Sequence, residues 1–179
     1  MPAPPPASLP LLQGLPPVAA KRARVLVLGS LPGAASLQAA QYYAHPRNLF
    51  WRFMGELVGA GPEWPYPERL RRLGAAGIAL WDVFACARRA GSLDAAIRSE
   101  DARGNDLRGF LAAHPGVGTL LFNGAKAADA FARLHAPSLA ERPLRCRRLP
   151  STSPANAAMP PAAKLAAWRQ ALQEAGIDC

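Results

Sequence analysis

Cysteine is scarce in this chain, and its spacing excludes several chemistries. The 179 residues hold three cysteines, Cys86, Cys146 and Cys179. They form no CxxC pair and have no fourth partner, which argues against an iron–sulfur cluster, a zinc knuckle or a disulfide framework. They read as small core residues or, at Cys179, a free terminal thiol. Long apolar runs are also missing, so no segment approaches a membrane span. The amino terminus lacks a basic region ahead of an apolar one, the mark of a secretory signal. A cytoplasmic location is the expectation, nucleoid-associated in a bacterium. Neither GxGxxG nor a Walker loop occurs, so nucleotide-cofactor binding is poorly supported. No cofactor, no metal and no membrane partner are expected. Lysine is scarce too: of 21 basic residues only Lys21, Lys126 and Lys164 are lysines. That arginine bias accounts for part of the net charge of +9. The cluster Arg142, Arg145, Arg147 and Arg148, just before a polar loop, is more specific and favours a polyanion, nucleic acid in particular.

Half the residues are hydrophobic, and the chain is long enough to bury one proper core. Prolines crowd Met1 to Pro17, so residues 1–20 read as an extended N-terminal arm whose Leu11–Leu15 stretch can pack on the body. Residues 21–179 read as a single domain, expected to be monomeric. Apolar runs predict strands over Arg24–Leu28, Ile78–Phe84, Val117–Phe122 and Leu144–Leu149. Helical spacing and caps predict helices over Asn48–Leu57, Glu68–Leu73, Asp106–Ala113, Gly124–Leu134 and Ala162–Ala175. Ser92–Arg98 reads as a small helix capped by Ser92, and Gln38–Tyr43 as a short helix or a loop. Strands alternating with helices predict an α/β fold, three-layer α/β/α around a four-stranded parallel sheet.

Two segments stand out. Val25-Leu26-Val27-Leu28-Gly29-Ser30-Leu31-Pro32-Gly33 is a buried strand ending in a tight turn, and His45-Pro46-Arg47-Asn48-Leu49-Phe50-Trp51 follows at the head of a helix. Leu149-Pro150-Ser151-Thr152-Ser153-Pro154-Ala155-Asn156 likewise follows an apolar strand. Ligand sites lie at the carboxyl ends of such strands, so the two loops predict one site drawn from both ends of the chain. Gly29 and Gly33 permit close backbone approach to a ligand.

These segments, with Tyr42-Tyr43, Leu80-Trp81-Asp82-Val83-Phe84 and the Arg88, Gly91, Ser92 and Leu93 that follow, resemble the uracil-DNA glycosylase superfamily, and within it the hypoxanthine-DNA glycosylase branch. The resemblance runs in order from Val25 to the last helix. It implies a DNA-repair enzyme that flips a deaminated base, hypoxanthine by preference, out of single- or double-stranded DNA. The N-glycosidic bond is then hydrolysed, leaving an abasic site. A uracil or mismatch-specific pyrimidine glycosylase of the same fold is the near alternative. A non-catalytic nucleic-acid-binding module is the alternative of another class.

Better-known branches hold the attacking water with an Asp or Asn where this chain has Leu31, and carry a histidine where it has the Ser151-Thr152-Ser153 run. The resemblance implies Asn48 as the catalytic residue instead, orienting water through its side-chain oxygen; as a helix cap Asn48 has an equally ordinary role. It implies a base pocket of Gly29, Ser30, Tyr43, Phe50 and Asp82. Phe50 would stack on the base or simply fill the core. Asp82 would accept the N1–H of hypoxanthine and repel the bare N1 of adenine, or else bond a loop amide. DNA contacts fall to Arg147, Arg148, Lys126, Ser151, Thr152, Ser153, Pro154, Ala155 and Asn156, although Lys126 is also readable as a solvated lysine and the loop as merely polar. Asn123-Gly124 reads as a turn supporting the site.

Overall fold

In the computed structural model, which describes residues 9–179, four parallel strands form the central sheet: β2 (Val25–Gly29), β3 (Ile78–Asp82), β6 (Thr119–Asn123) and β7 (Arg145–Leu149). Their spatial order is β3-β2-β6-β7. All five residues of β2 are buried, which is why its sequence is a continuous apolar run rather than an alternating one. Successive side chains face opposite layers. Leu26, Leu28, Leu120 and Phe122 pack with Leu107, Phe110 and Leu111 of α4 (Leu107–Ala113) and with Ala127 and Phe131 of α5 (Ala125–Leu134). Val25, Val27, Leu80, Leu121 and Leu149 face α2 (Phe50–Val58), α3 (Tyr66–Ala75) and α6 (Pro161–Glu174). The layered architecture is the one expected from the alternation of strands and helices. Each fully buried Val, Leu, Ile or Phe contributes about 1.5–3 kcal/mol, so the two cores dominate the stability of the domain.

α2 buries Phe50, Phe53, Met54 and Leu57, one face at helical spacing, and ends on Gly59 at φ +71°. That left-handed residue costs glycine little. α1 (Ala34–Ala39) begins earlier than the expected Gln38–Tyr43 segment. Among the described residues no helix is long and apolar enough to cross a membrane.

A second sheet departs from the sequence reading. The expected strand Ile78–Phe84 divides: β3 stops at Asp82, and β4 (Phe84–Arg89) enters a three-stranded antiparallel sheet between β1 (Leu11–Gln13) and β5 (Ile97–Gly104). The expected helix Ser92–Arg98 is a single 3-10 turn at Asp94–Ala96, followed directly by β5. Ser92 does cap a helix, but a distant one, because its Oγ accepts the N–H of Ala34 at the start of α1. The stretch expected as an arm is likewise divided. Residues 1–8 lie outside the described residues, while Leu11–Gln13 pairs with β4 and Leu15 and Pro16 accept hydrogen bonds from Tyr42 Oη.

Candidate functional site

The carboxyl ends of the parallel strands bring together Gly29, Asp82, Asn123 and Leu149, with Gly29 in register with Asp82 and Asn123 with Leu149. The two polar loops leave from this edge and are joined there. Leu49 N donates to the carbonyl of Thr152 at 3.0 Å. Asn48 and Ser153 flank that bond, so the two loops lie together at one edge of the sheet. Beside it, a cleft of about 280 Å³ is lined by Arg47, Leu49, Ser153, Pro154, Asn156 and Lys164, among others.

Asn123 and Lys164 fasten the second loop. Asn123 Nδ2 donates to Thr152 Oγ1 and Asn123 Oδ1 accepts from Thr152 N, both at 2.9 Å. The buried ammonium of Lys164, on α6, donates to Ser151 O at 2.7 Å and to Asn156 O. Burial lowers its pKa, and the two carbonyls replace much of its hydration. Trp168 Nε1 donates to Pro150 O at 3.0 Å. Within the loop, Ser151 Oγ accepts from Ser153 N and Ser153 Oγ from Ala155 N. Asn123 thus supports the site, as its turn position suggested. Lys164 was missed, because nothing local marks a lysine in an alanine-rich helix as buried.

At the inner end, Tyr43 and Asp82 converge on Gly29. A β-carbon on Gly29 would meet Asp82 Oδ1 at 2.5 Å and Tyr43 Oη at 3.5 Å. Tyr43 Oη and Asp82 Oδ2 are buried and make no hydrogen bond of ordinary geometry among the described residues, although the Asn123 amide lies close enough to favour the ionised Tyr43 hydroxyl. Burying such atoms unpaired costs about 1–3 kcal/mol each, a cost that a ligand removes by pairing them. Burial, then the negative charge of Asp94, push the Asp82 carboxyl up to about 7, against an opposing pull from Arg89. Burial and the Asp82 charge raise the Tyr43 hydroxyl above its ordinary range. Tyr43 also sits at φ +53°, an uncommon backbone conformation for a bulky residue that is held only by its surroundings.

Phe50 offers no open face. It is fully buried, and the Tyr43 ring lies stacked on it at 4.1 Å between centroids. Trp51 and Trp168 meet it edge-on. Of the two rings only Tyr43 is partly exposed, so Phe50 has no face free to stack on a base.

Asn48 Oδ1 accepts from Phe50 N at 3.0 Å, a turn-closing bond two residues on rather than the expected cap, because Leu49 is the N-cap residue of α2; the same oxygen retains a second lone pair. Ser30 Oγ donates to Asp94 Oδ1 at 2.5 Å. Leu31 is buried in the core, 5% exposed. Lys126 Nζ reaches Ser99 Oγ at 3.4 Å, toward β5. Arg147 pairs with Glu174 Oε2 at 2.5 Å in the last turn of α6, whereas Arg148 is exposed. Arg142 is spent on the carbonyls of Leu111 and Val117. Among the described residues no group of three or more His, Cys, Asp or Glu side chains is placed to hold a metal ion.

A three-layer α/β/α domain with two polar loops joined at the carboxyl edge of its parallel sheet, beside buried polar side chains, has the layout in which open α/β proteins place their ligand sites. The chain belongs to the uracil DNA glycosylase superfamily, whose family model matches residues 16–175. It is 39% identical over 118 residues to a hypoxanthine DNA glycosylase of Methanosarcina barkeri, covering 65% of this chain and 73% of that protein. It is 36% identical over 145 residues to a hypoxanthine DNA glycosylase of Methanosarcina acetivorans, covering 80% and 87%. A solution NMR structure from Methanosarcina acetivorans, named for uracil DNA glycosylase, superposes with a TM-score of 0.77 at 32% identity, over 93% of this chain and 99% of that one.

Proposed function

We propose that this chain is a monofunctional DNA glycosylase that extrudes a deaminated base, preferably hypoxanthine, and hydrolyses its N-glycosidic bond. It acts as a monomer on DNA, in the cytoplasm or nucleoid, and leaves an abasic site. The observation that carries this reading is the pair of buried, unpartnered atoms, Tyr43 Oη and Asp82 Oδ2, beside Gly29 at the carboxyl edge. The names of the two Methanosarcina relatives support the choice of base.

Hypoxanthine presents an N1–H donor next to its O6 acceptor. Asp82, held up to about 7, is available in both protonation states near neutral pH. Ionised, it accepts N1–H. Protonated, it accepts N1–H on one oxygen and donates to O6 from the other. Adenine offers a bare N1, which the ionised form repels. The base stacks on Tyr43, Asn48 orients the attacking water, and the Ser151–Asn156 loop, Arg148 and Lys126 meet the DNA backbone. Extrusion is required because the bond cannot be reached within a duplex.

Uracil carries the same N–H and carbonyl pair, so the assay uses both bases. Purified protein is incubated with oligonucleotides bearing a single inosine or a single uracil, and abasic sites are cleaved with alkali. Strand breaks at inosine in excess of those at uracil are expected. Faster cleavage at uracil would reverse the specificity, and binding without cleavage of either would make the chain a binding module.

A further inference from the structure

Hydrolysis of an N-glycosidic bond builds positive charge on the sugar, as in other glycoside cleavage. An anion close to that sugar is an effective way to lower the barrier. Leu31 stands in the strand-end loop without a charge and points into the core. Asp82 is deeply buried at the base end of the pocket. A second carboxylate reaches the same loop from another part of the chain. Asp94 lies on the 3-10 turn between β4 and β5 and accepts from Ser30 Oγ, 64 residues away in sequence, at 2.5 Å.

The turn is fixed there on several sides. Ser92 Oγ accepts from Ala34 N at 3.0 Å. The buried Arg89 guanidinium donates to Gly91 O at 2.9 Å, Leu31 O at 3.2 Å and Pro32 O at 2.5 Å. The Gly29–Gly33 loop and the Gly91–Asp94 turn are thus one unit, held by a cation whose donors go to carbonyls rather than to Asp94. Asp94 remains partly exposed, and among the described residues its Oδ2 accepts no hydrogen bond. Its partner Ser30 directly follows Gly29, where the Asp82 and Tyr43 oxygens converge, and its charge raises the pKa of both those groups.

We propose that Asp94 is the catalytic anion of this site, a carboxylate held by Ser30 against the sugar of the extruded nucleotide. This rests on the glycosylase reading. The C1′–N bond breaks with its electron pair leaving on the base, and the ring oxygen shares the positive charge that Asp94 opposes. Water oriented by Asn48 adds to C1′, and the proton it loses ends on the departed base. Asp94 is unchanged at the end. Ser30 is a positioning residue that fixes the carboxylate.

The test compares the parent, Asp94→Asn and Ser30→Ala. Asparagine keeps an oxygen for the Ser30 hydroxyl and removes only the charge. Its single-turnover rate on inosine DNA should fall by about a hundredfold, with unchanged melting temperature. A second readout is binding to duplexes carrying either a cationic pyrrolidine or a neutral tetrahydrofuran abasic analogue. The parent should prefer the cation by roughly tenfold or more, in line with the transition-state charge it is built to meet. Asp94→Asn should lose that preference while keeping its affinity for the neutral duplex, and Ser30→Ala should lose part of it. A parent with no preference, or an Asp94→Asn protein that retains either the preference or the parent rate, overturns the assignment. If the parent cleaves neither inosine nor uracil DNA, the glycosylase reading itself fails and the role of Asp94 falls with it.

Discussion

A β-carbon on Gly29 would lie 2.5 Å from Oδ1 of Asp82, its register partner on the neighbouring parallel strand. No ordinary contact is that short, so the absence of a side chain at Gly29 is what allows a buried carboxyl beside it. Gly29→Ala should push Asp82 aside, at a cost of about 1–3 kcal/mol in stability for overpacking, and should lower inosine cleavage more than tenfold. Urea melts and single-turnover assays of the same preparation check both effects. Parent activity in the alanine variant would mean that the Asp82 position is not used by the reaction.

The Asp82 carboxyl also makes stability depend on pH. Its folded pKa is raised from 3.8 to about 7, mainly by burial. The folded state therefore holds a proton that the unfolded state has lost, and stability falls as pH rises through that window. Asp82→Asn removes this penalty. Relative to the parent, the variant should gain stability as pH rises from about 4 to about 8, by an amount of order 4 kcal/mol at most. The gain should then level off. Melts at pH 4.5 and pH 8 give the difference, and an equal gap at both would mean that the Asp82 carboxyl is not perturbed in the folded protein.

The central sheet is legible in the sequence because strands covered on both faces must be apolar throughout, as Val25–Leu28 and Leu120–Phe122 are. The α2 face and the Gly29 turn are legible for similarly local reasons. The hairpin of β4 and β5 is not. Arg88, Arg89, Arg98, Glu100, Asp101 and Arg103 give it little apolar alternation, and Ser92 mimics the cap of the helix expected there. The site is legible only as two loops. Its supports, Ser30 with Asp94 and Asn123 with Thr152, are bonds between residues 64 and 29 positions apart, and no local pattern announces them. Phe50 illustrates the limit: helical spacing marks it as a core aromatic and the resemblance implies a place at the site, but only the fold shows that Tyr43 covers it.

Asn123→Ala breaks the reciprocal bonds to Thr152 and leaves a buried N–H and hydroxyl unpaired. Loss of about 1–3 kcal/mol is expected, with faster amide exchange over residues 151–156. DNA affinity should fall with the loop. Unchanged exchange at Thr152 would show that Lys164 and Trp168 hold the loop alone.

Two of the three arginines of β7 should separate. Arg147 is tied to Glu174, while Arg148 is exposed. Each phosphate neutralised contributes about 0.9 to the slope of log K against log salt in duplex DNA. Arg148→Ala should flatten that slope by nearly one, and Arg147→Ala by much less, with the base removed unchanged in both. Binding titrations between low and moderate salt decide. Equal flattening would mean that Arg147 leaves Glu174 when DNA binds.

The roles of Asn48 in closing the turn into α2 and in catalysis can be divided. Its Oδ1 already accepts from Phe50 N at 3.0 Å, so Asn48→Ala removes two functions together. Serine at this position keeps an oxygen for Phe50 N, because serine hydroxyls close the same short turns as asparagine amides, if more weakly. Its shorter side chain does not extend to a water that the amide oxygen holds while bonded to Phe50 N. Asn48→Ser should therefore melt near the parent and Asn48→Ala lower by about 1 kcal/mol, while both lose inosine cleavage by about a hundredfold or more, in the range for removing one aligned group. DNA affinity should hardly change, since neither the turn-closing bond nor the water meets a phosphate. The pattern to look for is stability that separates the two variants and activity that does not. If Asn48→Ser cleaves at the parent rate and only Asn48→Ala is impaired, activity follows the turn-closing bond. The helix start at Leu49 and Phe50, bonded to Thr152 through Leu49 N, would then be the feature that the reaction requires, and the water would be held by another group.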